Sequence, residues 1–185
     1  MRFYLTPSAA SAVDREAEAL EVLARVLGQG DNSRLSTALV LEGQVALAAA
    51  AQYTGNSRDS GRLSMFALPA PGAAIGDLEQ RLNSVGDDLR TNGITADELE
   101  RARTSIEANR LFESDSQQER ARSLGEALTV GRSLTHIQAS PQRLRALTTA
   151  DVAAAAARYL DPRRAVTGVL QPEPHVATAS GSGTR

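Results

Sequence analysis

Apolar residues recur every three or four positions over residues 14–27, which predicts an amphipathic α-helix. The positions on its apolar face are Ala17, Leu20, Leu23, Ala24 and Leu27. The turn Gly28-Gln29-Gly30 predicts the end of this helix. Polar residues then offer caps for a second helix that runs to about residue 42. The candidate caps are Asp31, Asn32 and Ser33.

The pattern changes to one typical of strands after the second helix. Residues 45–53 and 62–68 flank the polar segment 54–61, which is rich in Gly, Asn, Asp and Ser. This arrangement predicts an antiparallel hairpin, although the alanines in the first strand also suit a helix. Two further strands are predicted at residues 2–6 and 165–170.

Several helices are predicted between the hairpin and the last strand. Two of them begin with capping boxes, in which Thr95 precedes Glu98 and Thr148 precedes Asp151. The predicted segments are residues 77–90, 96–113, 117–130, a short piece near Ile137 and 149–160. Pro141 predicts a turn or the opening of another short helix.

This order of elements predicts an α+β fold with a largely antiparallel sheet. The length of 185 residues suits a single domain, which we assign to residues 1–172. Residues 173–185 are rich in Gly, Ser and Thr and are predicted to be a disordered tail.

Composition excludes several kinds of chemistry. The chain has no cysteine and no lysine, which excludes disulfides, thiolate zinc sites and a lysine Schiff base. The net charge is −2 with acids and bases intermixed, so nothing indicates a nucleic-acid partner. The longest apolar run, residues 45–51, is too short for a membrane segment. The compartment stays open between periplasm and cytoplasm.

No catalytic or metal-binding pattern is present. A zinc site needs at least three converging ligands, and the only histidines, His136 and His175, lie far apart in the chain. Paired carboxylates such as Glu98 and Glu100 have arginines close by in sequence, which is typical of a solvated helix face. We therefore predict no catalytic residue, no metal site and no cofactor in this chain.

A longer pattern resembles a known family. Residues 19–30 end in the glycine turn of Gly28 and Gly30, and Ser33, Arg34 and Leu35 follow. Two later segments, residues 94–102 and 147–160, continue the same pattern in order and spacing. Together they resemble the second, non-catalytic half of the M16 (pitrilysin/insulinase) zinc metallopeptidases. We interpret Arg34 as structural, tying its helix to a neighbour.

The resemblance implies a fold with helices packed on one face of the sheet, as in half of an M16/LuxS-like metallohydrolase. It also implies a homologous partner half, upstream in the same polypeptide or in a separate subunit. That half carries zinc in a His-x-x-Glu-His motif, and the two halves enclose unfolded peptides. Family members usually have further sequence before the segment that matches residues 2–7, so a strand or the connector to the other half is expected to be missing.

One departure from the family concerns substrate contacts. Active members often carry an Arg and a Tyr seven residues apart after Ser-Arg-Leu, and here Val40 and Leu47 take those places. Neither side chain can donate a hydrogen bond to a developing oxyanion. The first hairpin strand, from Val45 to Tyr53, is nevertheless a candidate edge for an extended peptide. The substrate-facing candidates are therefore Val40, Val45, Leu47 and Tyr53.

Three functions follow from these observations. The first is the substrate-enclosing half of a zinc metalloendopeptidase. The second is a structural or assembly subunit of the same fold without a role in proteolysis, which the missing Arg/Tyr pair favours. The third is a helical interaction module with no link to peptidases. An uncovered alanine-rich surface would also favour a homodimer.

Overall fold

The computed structural model of the chain describes residues 1–30 and 32–171. In this part of the chain, helices pack on one face of a four-stranded sheet. The candidate cap Asp31, the histidine His175 and the predicted tail at residues 173–185 lie outside the described residues.

The sheet is antiparallel throughout. Its strands are β1 (Arg2–Pro7), β2 (Ala46–Thr54), β3 (Ser60–Pro69) and β4 (Ala165–Thr167), in the spatial order β2-β3-β1-β4. The predicted hairpin is confirmed as β2 and β3, which pair directly. The last strand is shorter than predicted because its neighbour β1 pairs with it only from Arg2 to Tyr4.

The helices occupy most of the remaining chain. They are α1 (Glu16–Gly28), a π-helical turn (Ser36–Leu41), α2 (Ile75–Asn92), α3 (Ala96–Ser114), α4 (Gln117–Thr129), α5 (Leu134–Arg145), α6 (Thr149–Tyr159) and a 3₁₀ turn (Pro162–Arg164). Both predicted capping boxes are confirmed, at Thr95 before α3 and at Thr148 before α6.

The second predicted helix is confirmed in place although its type differs, and the prediction for Pro141 was wrong. The second predicted helix is a π-helical turn, in which the amide of Glu42 donates to the carbonyl of Thr37. Pro141 lies inside α5 rather than at a turn or at the start of another helix. A proline there removes one helical hydrogen bond. Leu144, one turn later, is fully buried, so its burial favours continuation of the helix past Pro141.

Helix α1 lies very close to strand β2. A Cβ atom on Gly28 would stand 2.0 Å from the backbone nitrogen of Ala51 and 2.5 Å from the carbonyl carbon of Ala50. Gly28 is therefore required for contact with the sheet. Gly30 serves the turn itself, because its φ of +94° lies in the left-handed region.

The opposite face of the sheet carries exposed apolar side chains and is uncovered in the part of the chain that the structure describes. Along β1 and β3, buried residues alternate with outward-facing ones. Leu5, Phe66, Leu68 and Val166 on this outer face are between 41% and 71% exposed. We call these four residues the outer apolar face.

We expect Gly28→Ala to destabilise the fold, because the added methyl group forces α1 away from the backbone of β2. Overpacking of this kind costs about 1–3 kcal/mol. Gly125→Ala in α4 is the matched control, since a Cβ there meets nothing within 4 Å. That control should be stabilised by about 0.5–1 kcal/mol. Urea unfolding, monitored by circular dichroism, compares the two variants with the parent. Equal unfolding midpoints for Gly28→Ala and Gly125→Ala would contradict the close contact.

Candidate functional site

The Ser33-Arg34-Leu35 segment joins α1 to the π-helical turn. Leu35 has no solvent exposure and packs in the core. Ser33 is also buried, and its hydroxyl accepts a hydrogen bond of 3.4 Å from the amide of Ser36. The two flanking residues thus fix the backbone from which the Arg34 side chain extends.

The guanidinium of Arg34 binds the junction between α2 and α3. Its Nε and Nη2 atoms each donate to a carboxylate oxygen of Glu98, both at 2.8 Å. Nη2 also donates to the carbonyl of Gly93 at 3.0 Å, and Nη1 donates to Asp88. Arg34 therefore joins three points of one helix junction to the segment after α1.

Glu98 has two functions in this junction. Its Oε2 atom accepts a hydrogen bond of 2.8 Å from the amide of Thr95, which completes the capping box of α3. The hydrogen bonds from Arg34 are the largest influence on its ionisation and lower the pKa of Glu98 to about 2, against the opposing effect of burial. The charged form of Glu98 is thus strongly favoured in the folded state.

We expect Glu98→Gln to lower the free energy of unfolding by about 1.5–3 kcal/mol at pH 7, since hydrogen bonds to a charged group are lost. The folded pKa of Glu98 lies below its unfolded value of about 4.3. This contribution is therefore complete above the unfolded pKa and is lost as the pH falls towards about 2. Urea titrations at several pH values should show the variant and the parent converging on acidification.

Glu107→Gln is the control for this prediction. Glu107 lies in the same helix and pairs with Arg145 at 2.7 Å, but both side chains are more exposed. Exposed pairs contribute about 0.2–1 kcal/mol, so the control should change stability little. A pH-independent difference between Glu98→Gln and the parent would contradict the role of the carboxylate charge.

The four substrate-facing candidates do not form one surface. Val40 and Val45 are partly buried against the core, and the backbone of Val45 bonds to the carbonyl of Leu39 and the amide of Ala70. Leu47 is 58% exposed, close to the irregular pairing at the start of β2. Tyr53 lies six residues further along the strand, about 20 Å away at the rise of a β-strand. Their role in binding peptides stays a prediction.

Tyr53 is held in place by the chain around it. Its hydroxyl donates a hydrogen bond of 2.8 Å to the carbonyl of Pro7, and its ring lies against Gly55. Burial, followed by the nearby carboxylates Glu18 and Glu21, raises the pKa of this hydroxyl well above its usual value. Tyr53 therefore stays protonated and serves as a donor within the fold.

A group of charged residues beside Tyr53 was missed by sequence reasoning. Glu18 is 3% exposed, and both of its carboxylate oxygens accept from Arg143, at 2.9 and 3.1 Å. Glu21 pairs with Arg110 at 2.6 Å. The available signal was Glu18 itself, a carboxylate within the buried stretch of α1 that needs a cationic partner. Its partner is 125 residues away, so no local pattern points to it.

The described residues do not fit a metal ion. No group of three or more His, Cys, Asp or Glu residues among them is arranged to hold one. Burial, with smaller effects from Arg143 and Arg132, lowers the pKa of His136. In residues 1–30 and 32–171 no helix has the length and apolar character needed to cross a bilayer.

The sequence matches one protein-family model. Residues 4–106, more than half of the chain, match the model described as the peptidase M16 inactive domain. Among curated proteins, none matches the sequence.

Solved structures share the fold. A candidate zinc protease from Bordetella pertussis Tohama I superposes with a TM-score of 0.80 at 23% identity, covering 92% of this chain and 91% of that one. The inactive peptidase domain of a candidate zinc protease from Bordetella parapertussis gives a TM-score of 0.79 at 23% identity, covering 90% of this chain and 88% of that one. A protease from Helicobacter pylori gives 0.79 at 21% identity, over 89% of this chain but only 38% of that protein. The predicted α+β fold is confirmed.

Proposed function

This chain belongs to the peptidase M16 inactive-domain family, and on that premise we propose that it is the non-catalytic half of a zinc metalloendopeptidase. Its partner is a homologous half that carries zinc in a His-x-x-Glu-His motif, in the same polypeptide or in a separate subunit. Together the halves hold unfolded peptides. The observation that carries this proposal is an M16 fold whose described residues contain no metal-binding group.

The outer apolar face supports the need for a partner. An α+β domain is stable when the apolar face of its sheet is covered by another layer. Leu5 and Val166 are 69% and 71% exposed, and Phe66 and Leu68 lie on the same face. Several exposed apolar side chains on one face are typical of an interaction site. We assign this face to the partner half.

The free edge of β2 supports peptide binding. Among the described strands, β2 pairs only with β3, so its other edge has no strand partner. Its first half is almost entirely alanine apart from Leu47, and small side chains allow another backbone to approach closely. An extended peptide adds to such an edge through main-chain hydrogen bonds, which suits unfolded substrates of varied sequence.

The division of chemistry follows from the residues that are present. In the partner half, zinc supplies a Lewis acid and lowers the pKa of a bound water. Val40, which is half-buried, and Leu47, which is exposed, both have apolar side chains. Neither therefore donates a hydrogen bond towards a reacting carbonyl. This half therefore orients peptide through its backbone edge, and stabilisation of the oxyanion falls to the partner.

We expect the purified chain alone to contain no stoichiometric zinc and to leave a quenched unfolded peptide uncleaved. Adding the zinc-bearing M16 half from the same genome should produce cleavage that a chelator abolishes. Metal analysis and fluorescence measure the two outcomes. Stoichiometric zinc with chelator-sensitive cleavage by the chain alone would overturn the proposal.

The control replaces the glutamate of the partner's His-x-x-Glu-His motif by glutamine, because cleavage by the mixture should then stop. If the partner cleaves equally well without this chain, the peptide-holding role is wrong.

The missing Arg/Tyr pair favours a second candidate function, a structural subunit. A stable complex with an M16 mate that lacks the His-x-x-Glu-His motif and cleaves no peptide would establish it.

We expect Leu68→Glu to abolish association with the partner half, since a charge is placed in the outer apolar face. Its effect on folding should be small because Leu68 is already 47% exposed. Leu128→Glu in α4 is the matched control, with the same 47% exposure on a different surface. Sedimentation of each variant with the partner, and of the chain alone, measures association.

Retained binding of Leu68→Glu, or its loss only in Leu128→Glu, would contradict the assignment of the outer apolar face. Dimers of the chain alone that Leu68→Glu disrupts would assign this face to a homodimer instead.

A further inference from the structure

A groove between α3, α4 and α5 lies on the helical side of the molecule. It has a volume of about 680 Å³ and meets a smaller cleft of about 230 Å³ beside Tyr53. Arg110, Arg132 and Ser140 line both spaces. The larger volume falls within the range of small-ligand sites in proteins.

Arg132 is placed in the groove by the end of α4. Gly131 has a φ of +94°, its amide donates to the carbonyl of Leu128, and the amide of Arg132 donates to the carbonyl of Ala127. These two bonds form a Schellman motif, which fixes the backbone after a helix. Ala127 is 4% exposed, so the motif is anchored in the protein interior.

The charges of the groove are not balanced. Its lining includes four arginines and two glutamates, and both glutamates pair with the same arginine, Arg122. Arg110 pairs with Glu21. Neither Arg120 nor Arg132 forms an ion pair within the described chain.

Arg132 is the more constrained of these two arginines. It is half-buried, and its Nε atom is buried without a hydrogen-bond partner among the described residues. Burial lowers the pKa of Arg132, and the nearby carboxylates Glu18 and Glu21 act in the opposite sense. Glu18, however, already accepts hydrogen bonds from two nitrogens of Arg143. A buried donor on a charged group without an acceptor is unfavourable. Nε itself is closed to a ligand, so an anion would bind at the other guanidinium nitrogens of Arg132, which this burial does not affect.

We propose that this groove binds the carboxylate of a peptide, with Arg132 as the principal contact and Arg120 as a second cation of the lining. A guanidinium donates two parallel hydrogen bonds to a carboxylate, which gives both affinity and orientation. The inference rests on the proposed function, because it names the chemical feature by which a held peptide is recognised.

The rest of the lining favours a peptide over a free inorganic anion. Leu124, Leu134 and Ile137 bring apolar surface to the groove that Arg132 enters. Leu124 and Leu134 are 39% and 50% exposed, so this surface is accessible. An apolar side chain next to a carboxylate matches such a site, since the groove offers both kinds of contact.

The test compares a fluorescein-labelled Ala-Leu-Ala-Leu peptide with a free C-terminal carboxylate against the same peptide as an amide. Fluorescence anisotropy with the full chain should give a Kd about tenfold lower for the free acid, the usual effect of one charge-assisted contact. Arg132→Gln should remove this preference, and Arg132→Lys should restore only part of it. An amidated peptide with an internal Glu distinguishes a side-chain carboxylate from the chain terminus.

Arg163→Gln is the control, because Arg163 is 86% exposed, pairs with Asp161 and lies outside the groove. If Arg132→Gln fails to fold, Arg120→Gln is the alternative variant. It changes an exposed position and should weaken the preference for the free acid over the amide. Equal binding of acid and amide, an unchanged preference in Arg132→Gln, or stronger displacement by inorganic phosphate than by free-acid peptide would overturn the proposal. If acid and amide bind equally while the assembled peptidase still cleaves the peptide, the proposed function stands although the carboxylate site is wrong.

Discussion

The contact between α1 and the sheet is the constraint on which the rest of the structure depends. Helix α1 touches β2 and β3 on one side and α3, α5 and α6 on the other. Leu20, Leu23 and Leu27 are fully buried in these contacts, and each contributes about 1.5–3 kcal/mol. This packing distance is set by Gly28, since any side chain there would enter the backbone of β2.

Two arginine forks join distant parts of the chain around this helix. Arg34 and Glu98 are 64 residues apart, and Arg143 and Glu18 are 125 residues apart. In each pair two guanidinium nitrogens bind two carboxylate oxygens, which fixes orientation as well as distance. The first fork sets the α2–α3 junction against the end of α1, and the second sets α5 against its start.

Sequence reasoning succeeded where the signal is local. The capping boxes at Thr95 and Thr148 need only residues three positions apart, and the hairpin needs only its polar turn. It failed where tertiary packing outweighs local preference, as at Pro141 inside α5. The groove around Arg132 could not be predicted either, because its lining comes from three helices and no periodicity relates them.

Apolar packing is the main contact that holds this fold together in the residues that the structure describes. Its core is a continuous apolar cluster closed by capped helices and ion pairs. The core of this chain is formed by apolar residues in the described part of the structure. On the proposed function, such a half contributes its apolar face, its strand edge and its groove to the assembly.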